Sequence, residues 1–311
     1  MANPCNEQPA NLKLVRHPDL TVQLQEFLTD RQARGLSPKT LKWYRQSLGT
    51  LNAYLLDHGV TTLSNLSPAT LRAFLVHLQQ GHNPGGIRNI FGAVRALLAW
   101  YADENGLADW WAALRKVKMP KVPEQTLPPV SLPDLQKMLA TCTGRNFADC
   151  RDRAILLCLL DTGCRASEFL ALDLADVDLG TGAVRVRRGK GGKSRVTFVG
   201  AKARKALLAY LRYRGNADGP LWVAADGHGL TFAGLRQVVR RRATKAGVPV
   251  PGLHSFRRAF AIGCLRGGVD LESLRRLLGH ADLSIIRRYL AQTQEDLQTA
   301  HRRGSPVDNW L

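Results

Sequence analysis

Acidic side chains are scarce in this chain: 25 Asp and Glu stand against 44 Lys and Arg, leaving a formal charge of +19 and a pI near 10.3. Such an excess attracts polyanions and supplies phosphate contacts that release counterions, which points to nucleic acid as the partner. Cysteine is also sparse, with six residues at 5, 142, 150, 158, 164 and 264 and no C-x-x-C pair. Several sit in apolar helical patterns, so reduced, buried thiols are expected rather than disulfides or zinc ligands. No apolar signal core occupies residues 1–9, and the longest apolar run, 154–160, is too short to span a bilayer. The expectation is a cytoplasmic protein with no membrane contact.

What is present is enough apolar material for two cores: 311 residues at 45% hydrophobic content exclude a disordered chain or a miniprotein. Residues 1–17 show no periodicity and read as a flexible leader, too short for an additional arm-type DNA-binding domain. From Asp19 the positions Val22, Leu24, Phe27 and Leu28 fit a first helix that stops near Gly35. Ser37-Pro38 and Ser67-Pro68 each pair a helix cap with a proline suited to the first turn. A fourth helix is expected after Pro84-Gly85-Gly86, with Ile90, Val94, Leu97, Leu98 and Tyr101 on its buried face. The result is an all-helical domain over 18–118, in which Trp43, Trp100, Trp110 and Trp111 are expected to pack rather than to stack on bases. Lys39, Lys42 and Arg45 share one helix face; alone they read as a solvated face, and only the total charge turns them towards DNA.

The stretch 116–129 holds four prolines and three lysines and reads as a linker, bounded at 119–129, before a second domain over 130–291. Ser131 and Asp134 open a helix to Leu139, and a strongly apolar helix spans 153–160. The chain then turns at Gly163 and places Arg165 at the entrance of the next helix, a rigid support for a phosphate-binding guanidinium. Residues 176–199 switch to period two: Val184 and Val186 alternate with Arg185 and Arg187, and Val196 and Phe198 with Arg195 and Thr197. The pattern is a β-hairpin with Lys190 at a glycine-rich tip, and 177–179 are expected to add a third strand. This turn is no P-loop, since the G-x-x-x-x-G-K-[ST] spacing and the following helix are missing. Helices resume over 201–214 and after Thr231; Arg240, Arg241 and Arg242 suit the negative end of the latter and could equally face phosphate, with the helix-end reading slightly favoured.

Residues 254–289, HSFRRAFAIGCLRGGVDLESLRRLLGHADLSIIRRYL, gather two histidines, several arginines and one tyrosine. His254 and Arg257 are three apart at a helix start, so both are expected on one face near the positive helix end. Asp270 caps a short helix that Gly279 stops, His280 follows in a loop, and Ser284 caps a last short helix presenting Tyr289.

TGCRASE at 162–168, GKGGK at 189–193, HSFR at 254–257, LGH at 278–280 and Tyr289 together resemble the tyrosine site-specific recombinases, the phage integrase family, in an Xer-like form. GLSPKTLKWYRQSL at 35–48 resembles that family's core-DNA-binding domain, so the likeness covers roughly 18–291. It implies a mostly α fold with a small antiparallel β-sheet, divided into a helical N-terminal DNA-binding domain and a mixed α/β catalytic domain. By position, Arg165 and Arg257 clamp the scissile phosphate, Lys190 protonates the departing 5′ oxygen, and His254 and His280 fill the two histidine positions. Tyr289 is the nucleophile and Glu168 orients its neighbours. Arg258 departs from the pattern, many members having a second histidine there.

The residue types fit metal-free phosphoryl transfer: paired guanidiniums hold the transition-state charge, and a phenol of pKa about 10 needs a base or a strongly positive site to attack. The resemblance implies no cofactor and no metal. DNA contacts are expected from Lys39, Lys42, Arg45, Arg187, Arg188 and Lys193. The implied partners are double-stranded DNA with specific core sites and further copies of the chain in a tetramer. The tail, 292–311, with a short helix around 295–302, is expected to dock on a neighbouring protomer. Two other readings share the fold, a noncatalytic DNA-binding regulator and a strand relaxer of the topoisomerase IB kind. The full residue set argues against the first, and the separate N-terminal domain and tail against the second.

Overall fold

Three helices of the first unit start alike, with a polar cap followed by proline, in a computed structural model that describes residues 19–122, 128–187, 194–279, 298, 301, 302 and 304–310. The chain forms two compact units that divide between Glu124 and Gln125. The first unit contains α1 (Leu20–Ala33), α2 (Pro38–Asp57), α3 (Pro68–Leu78), α4 (Pro84–Glu104) and α5 (Ala108–Leu114). Ser37 and Ser67 accept from the backbone N–H groups of Thr40 and Thr70, at 3.2 and 3.1 Å. Asn83 does the same for Gly86 at 2.8 Å, so α4 starts at Pro84 and runs through the two glycines instead of after them. The core joins Phe27, Leu51, Leu55, Phe74, Phe91, Val94 and Leu98.

The short α5 is a separate element beyond the four helices expected. It carries Trp110, whose indole donates to the Leu66 carbonyl at 3.2 Å, and Trp111, and both pack on this core with Trp100. Trp43 departs from expectation: it is exposed on α2, beside Tyr44, on the same stretch as the exposed Lys39, Lys42 and Arg45.

The second unit is built around α7 (Phe147–Thr162), whose Ala154, Ile155, Leu156, Cys158 and Leu159 are buried. Against it pack α6 (Leu132–Ala140), α9 (Ala201–Arg214), α10 (Phe232–Lys245) and α11 (Leu253–Arg266), with α8 (Ala166–Leu170) following its end and α12 (Leu271–Leu278) packed on α11. Trp222 stacks between Phe169 and Tyr210, with centroids 4.7 and 5.6 Å away. Of the tail helix expected around 295–302, residues 298, 301 and 302 are described and helical; α13 (Pro306–Trp310) lies beyond it.

The sheet pairs β1 (Ala183–Val186) with β2 (Arg195–Phe198), antiparallel, with Val184 opposite Thr197 and Val186 opposite Arg195. The expected third strand reduces to a single bridge between Val177 and Val184. In β2 the period is as expected but the inward face is the polar one. Thr197 is fully buried, donating to the Thr162 carbonyl at 3.0 Å, while Val196 and Phe198 face solvent. The arginines of α10 also depart from a helix-end role. Arg242 is buried and donates to Asp149 at 2.6 Å and Asp152 at 2.8 Å on α7, and Arg241 reaches Asp152 at 2.5 Å. A buried guanidinium requires such partners.

Gly163 ends α7 at φ 58°, and a Cβ there would sit 2.3 Å from Cδ1 of Phe260. Left-handed strain and overpacking together predict that Gly163→Ala lowers stability by about 2–4 kcal/mol, read as a lower urea midpoint at unchanged slope.

Candidate active site

Glu168 is the anionic centre of this region, buried on the first turn of α8. Its carboxylate folds back on the residue before the helix: Oε2 accepts from the Arg165 backbone N–H at 2.9 Å and Oε1 from Arg165 Nη1 at 2.7 Å. The first bond satisfies an N–H that a helix start leaves open, and the second fixes the guanidinium. The Arg165 side chain keeps 22% of its surface exposed.

Arg257 is only 1% exposed, which corrects the expectation that it emerges beside His254. From α11 its Nη1 donates to the Gly163 carbonyl at 2.6 Å and its Nη2 to the Leu278 carbonyl at 2.7 Å. Both acceptors lie at helix C-terminal ends, where open carbonyls and the negative dipole end favour a cation. Nη1 is also 4.0 Å from Glu168 Oε2.

His254, one turn earlier on α11, is exposed as a residue, yet protein atoms crowd its ring. That desolvation, then the charges of Arg257, Arg258 and Arg165, lowers its pKa, so it is mainly neutral at neutral pH and able to accept a proton.

A third arginine, Arg195 on β2, is not among the residues expected in the site. Its Nη2 donates to Glu168 Oε2 at 2.7 Å and its Nε to the Leu277 carbonyl at 2.9 Å. No local signal in the sequence marks it; only knowing which side of β2 faces α7 would have found it.

Three guanidiniums around one carboxylate leave an excess of two positive charges before any ligand arrives. Burial alone would raise the Glu168 pKa. The bond from Arg195, the Arg165 N–H, the charge of Arg195 and the bond from Arg165 outweigh it and hold the pKa at about 2, against an ordinary 4.5. A depressed carboxylate stabilises the fold above its unfolded pKa, and that contribution disappears as pH falls through the folded one. Glu168→Gln is therefore expected to lower stability by about 3 kcal/mol at pH 6. The gap from the parent should close as pH falls from 4.5 towards 2, measured by urea unfolding across that range. A gap independent of pH would count against ionic pairing as its cause.

Residues 131–296 match the sequence pattern described as the phage integrase family, and residues 24–105 match the phage integrase N-terminal SAM-like domain. The chain belongs to the phage integrase family. Tyrosine recombinase XerD of Mycobacterium tuberculosis is 33% identical over 300 residues, which is 90% of this chain and 96% of the relative. Tyrosine recombinase XerC of Azotobacter vinelandii is 33% identical over 297 residues, or 92% and 97%. A structure of XerH site-specific recombinase bound to palindromic difH substrate, a post-cleavage complex, aligns with TM-score 0.71 at 23% identity over 93% of this chain and 85% of that one. A lambda integrase tetramer bound to a Holliday junction gives 0.73 at 14% identity over 88% and 78%. These likenesses bear out the expected fold class, mostly helical with a small antiparallel sheet and a helical domain before the catalytic one.

In this integrase-family chain, then, Arg165, Glu168, His254 and Arg257 gather on adjoining elements of the second unit. Arg187 lies elsewhere and is engaged by Asp176 at 2.5 Å and Asp173 at 3.0 Å. Arg188, Lys190, Lys193, His280 and Tyr289 fall outside the described residues. Arg258 donates to the Pro128 carbonyl at 3.0 Å, joining α11 to the end of the linker segment. Among the described residues no group of three His, Cys, Asp or Glu is placed to hold a metal, and no helix is long and apolar enough to cross a membrane.

Proposed function

We propose that this site-specific tyrosine recombinase breaks and rejoins DNA strands through a 3′-phosphotyrosyl intermediate on Tyr289. Arg165 and Arg257 bind the nonbridging oxygens of the scissile phosphate and hold the charge that develops on them. His254, with its lowered pKa, takes the tyrosine proton, Lys190 protonates the 5′ oxygen as the phosphodiester opens, and His280 completes the set. A 5′ hydroxyl from a second duplex reverses the step on the new strand. The phosphotyrosyl bond stores the energy of the broken linkage, so neither ATP nor a metal is required.

The observation that carries this reading is that two arginines from separate sequence motifs converge on one buried carboxylate, with His254 on the same helix as the second arginine. In the same reading 18–118 grips the core site and 130–291 performs the chemistry, joined by 119–129. The tail, 292–311, docks on the next protomer of a tetramer, the assembly in which lambda integrase is found on a Holliday junction. The cytoplasm, where the DNA lies, is the place of action.

Trapping tests it. The chain is incubated with nicked duplexes recovered from its host by binding, and the denaturation-resistant adduct is digested and mapped. The expected result is one modified peptide containing Tyr289; no adduct, or an adduct on another residue, overturns the reading. Relaxation of one-site plasmids without recombinant products would place the chain with strand relaxers instead.

A further inference from the structure

We propose that Arg195 is a positioning residue for strand cleavage, one that ties the β-hairpin to the point where the chain leaves α12 for His280 and Tyr289; this rests on the reading above. Its side chain is 7% exposed and its guanidinium is engaged by protein groups. It reaches three things at once. Through Nη2 it holds Glu168 at 2.7 Å, and Glu168 in turn orients Arg165. Through Nε it holds the Leu277 carbonyl at 2.9 Å, in the last turn of α12. Through its own backbone it opens β2, the strand that follows the segment containing Lys190.

The exit from α12 is shaped to this side chain. Gly279 has φ 64°, and a Cβ there would lie 2.8 Å from Arg195 Cδ and 3.2 Å from its Nε and Nη1. The remaining nitrogen, Nη1, is buried without a partner among the described residues, at the place where the chain departs for His280. One planar fork thus joins β2, the carboxylate that fixes Arg165 and the last turn of α12, from which the chain continues to the proposed nucleophile. A lysine offers a single point charge and cannot make both bonds in that geometry. Misplacement of reacting groups by about 1 Å costs on the order of 100-fold in rate.

The test uses the full chain and a nicked duplex, with Arg195→Gln, Arg195→Lys and Gly279→Ala. The last displaces the guanidinium without removing it. Single-turnover cleavage at saturating DNA, well below each melting temperature, is expected to fall by about 100-fold in the arginine variants and at least about 10-fold in Gly279→Ala. The dissociation constant for duplex should stay within about threefold. A purely structural role would instead reduce cleavage and binding together, in step with the folded fraction, and that result overturns the proposal. So do parental cleavage rates in folded Arg195→Lys and Gly279→Ala, whatever becomes of Arg195→Gln. Absence of the adduct from the parent chain sinks the cleavage reading itself, whereas a parental adduct with unaffected variants sinks only the role of Arg195.

Discussion

Tyr289→Phe is expected to give no covalent protein–DNA adduct while binding duplex as tightly as the parent. The substitution removes one oxygen and leaves every cation of the site in place, and affinity for DNA comes chiefly from phosphate contacts. On the proposed mechanism the phenol holds the 3′ phosphate, and loss of a covalent nucleophile lowers rates by roughly 10^4-fold or more. A denaturing gel of the trapped complex measures the adduct, and a filter-binding titration at fixed salt measures the affinity. An adduct formed by Tyr289→Phe would remove Tyr289 from the mechanism. A parallel loss of binding would make it a structural tyrosine.

Arg257→Met should fail twice, once as a fold and once as a catalyst. The buried guanidinium bonds the Gly163 and Leu278 carbonyls and lies 4.0 Å from Glu168, so its removal strips partners from two helix ends and a cation from a buried carboxylate. Breaking a buried charged network of this kind costs about 3–5 kcal/mol. In its proposed role as a donor to the developing phosphate charge, its loss costs a further ~10²–10³ in cleavage rate. Urea unfolding reads the first effect, and single-turnover cleavage under conditions where the variant is fully folded reads the second. A variant within about 1 kcal/mol of the parent would show that the two carbonyl bonds contribute little. Near-parental cleavage by the folded fraction would remove Arg257 from the phosphate clamp.

The elements that local chemistry dictates were legible in the sequence. Ser37, Ser67, Ser131, Thr231 and Asp270 all cap helices where a reading of the residues puts them, and Gly163 and Gly279 stop helices in the left-handed conformation they alone adopt cheaply. Arg165 at a helix entrance and Glu168 on the next turn follow from the same logic. What stayed hidden depends on partners distant in the chain. Period two announces β2, but Val196 and Phe198 outside and Arg195 and Thr197 inside reverse the usual rule, because the inner face meets Glu168 and the Thr162 carbonyl rather than a greasy core. Arg242 looked like a helix-end cation, since its true partners, Asp149 and Asp152, lie on another helix. The burial of Arg257 is likewise decided by two carbonyls that no spacing rule brings to it.

The two carbonyl bonds of Arg257 have a consequence for genetics. A screen for loss of recombination will recover substitutions at this position, and a screen for low protein abundance will recover the same ones, because the group proposed to bind the phosphate also closes the fold. Arg165, more exposed and, among the described residues, bonded only within its own helix turn, is where alleles that abolish recombination at normal protein levels should concentrate.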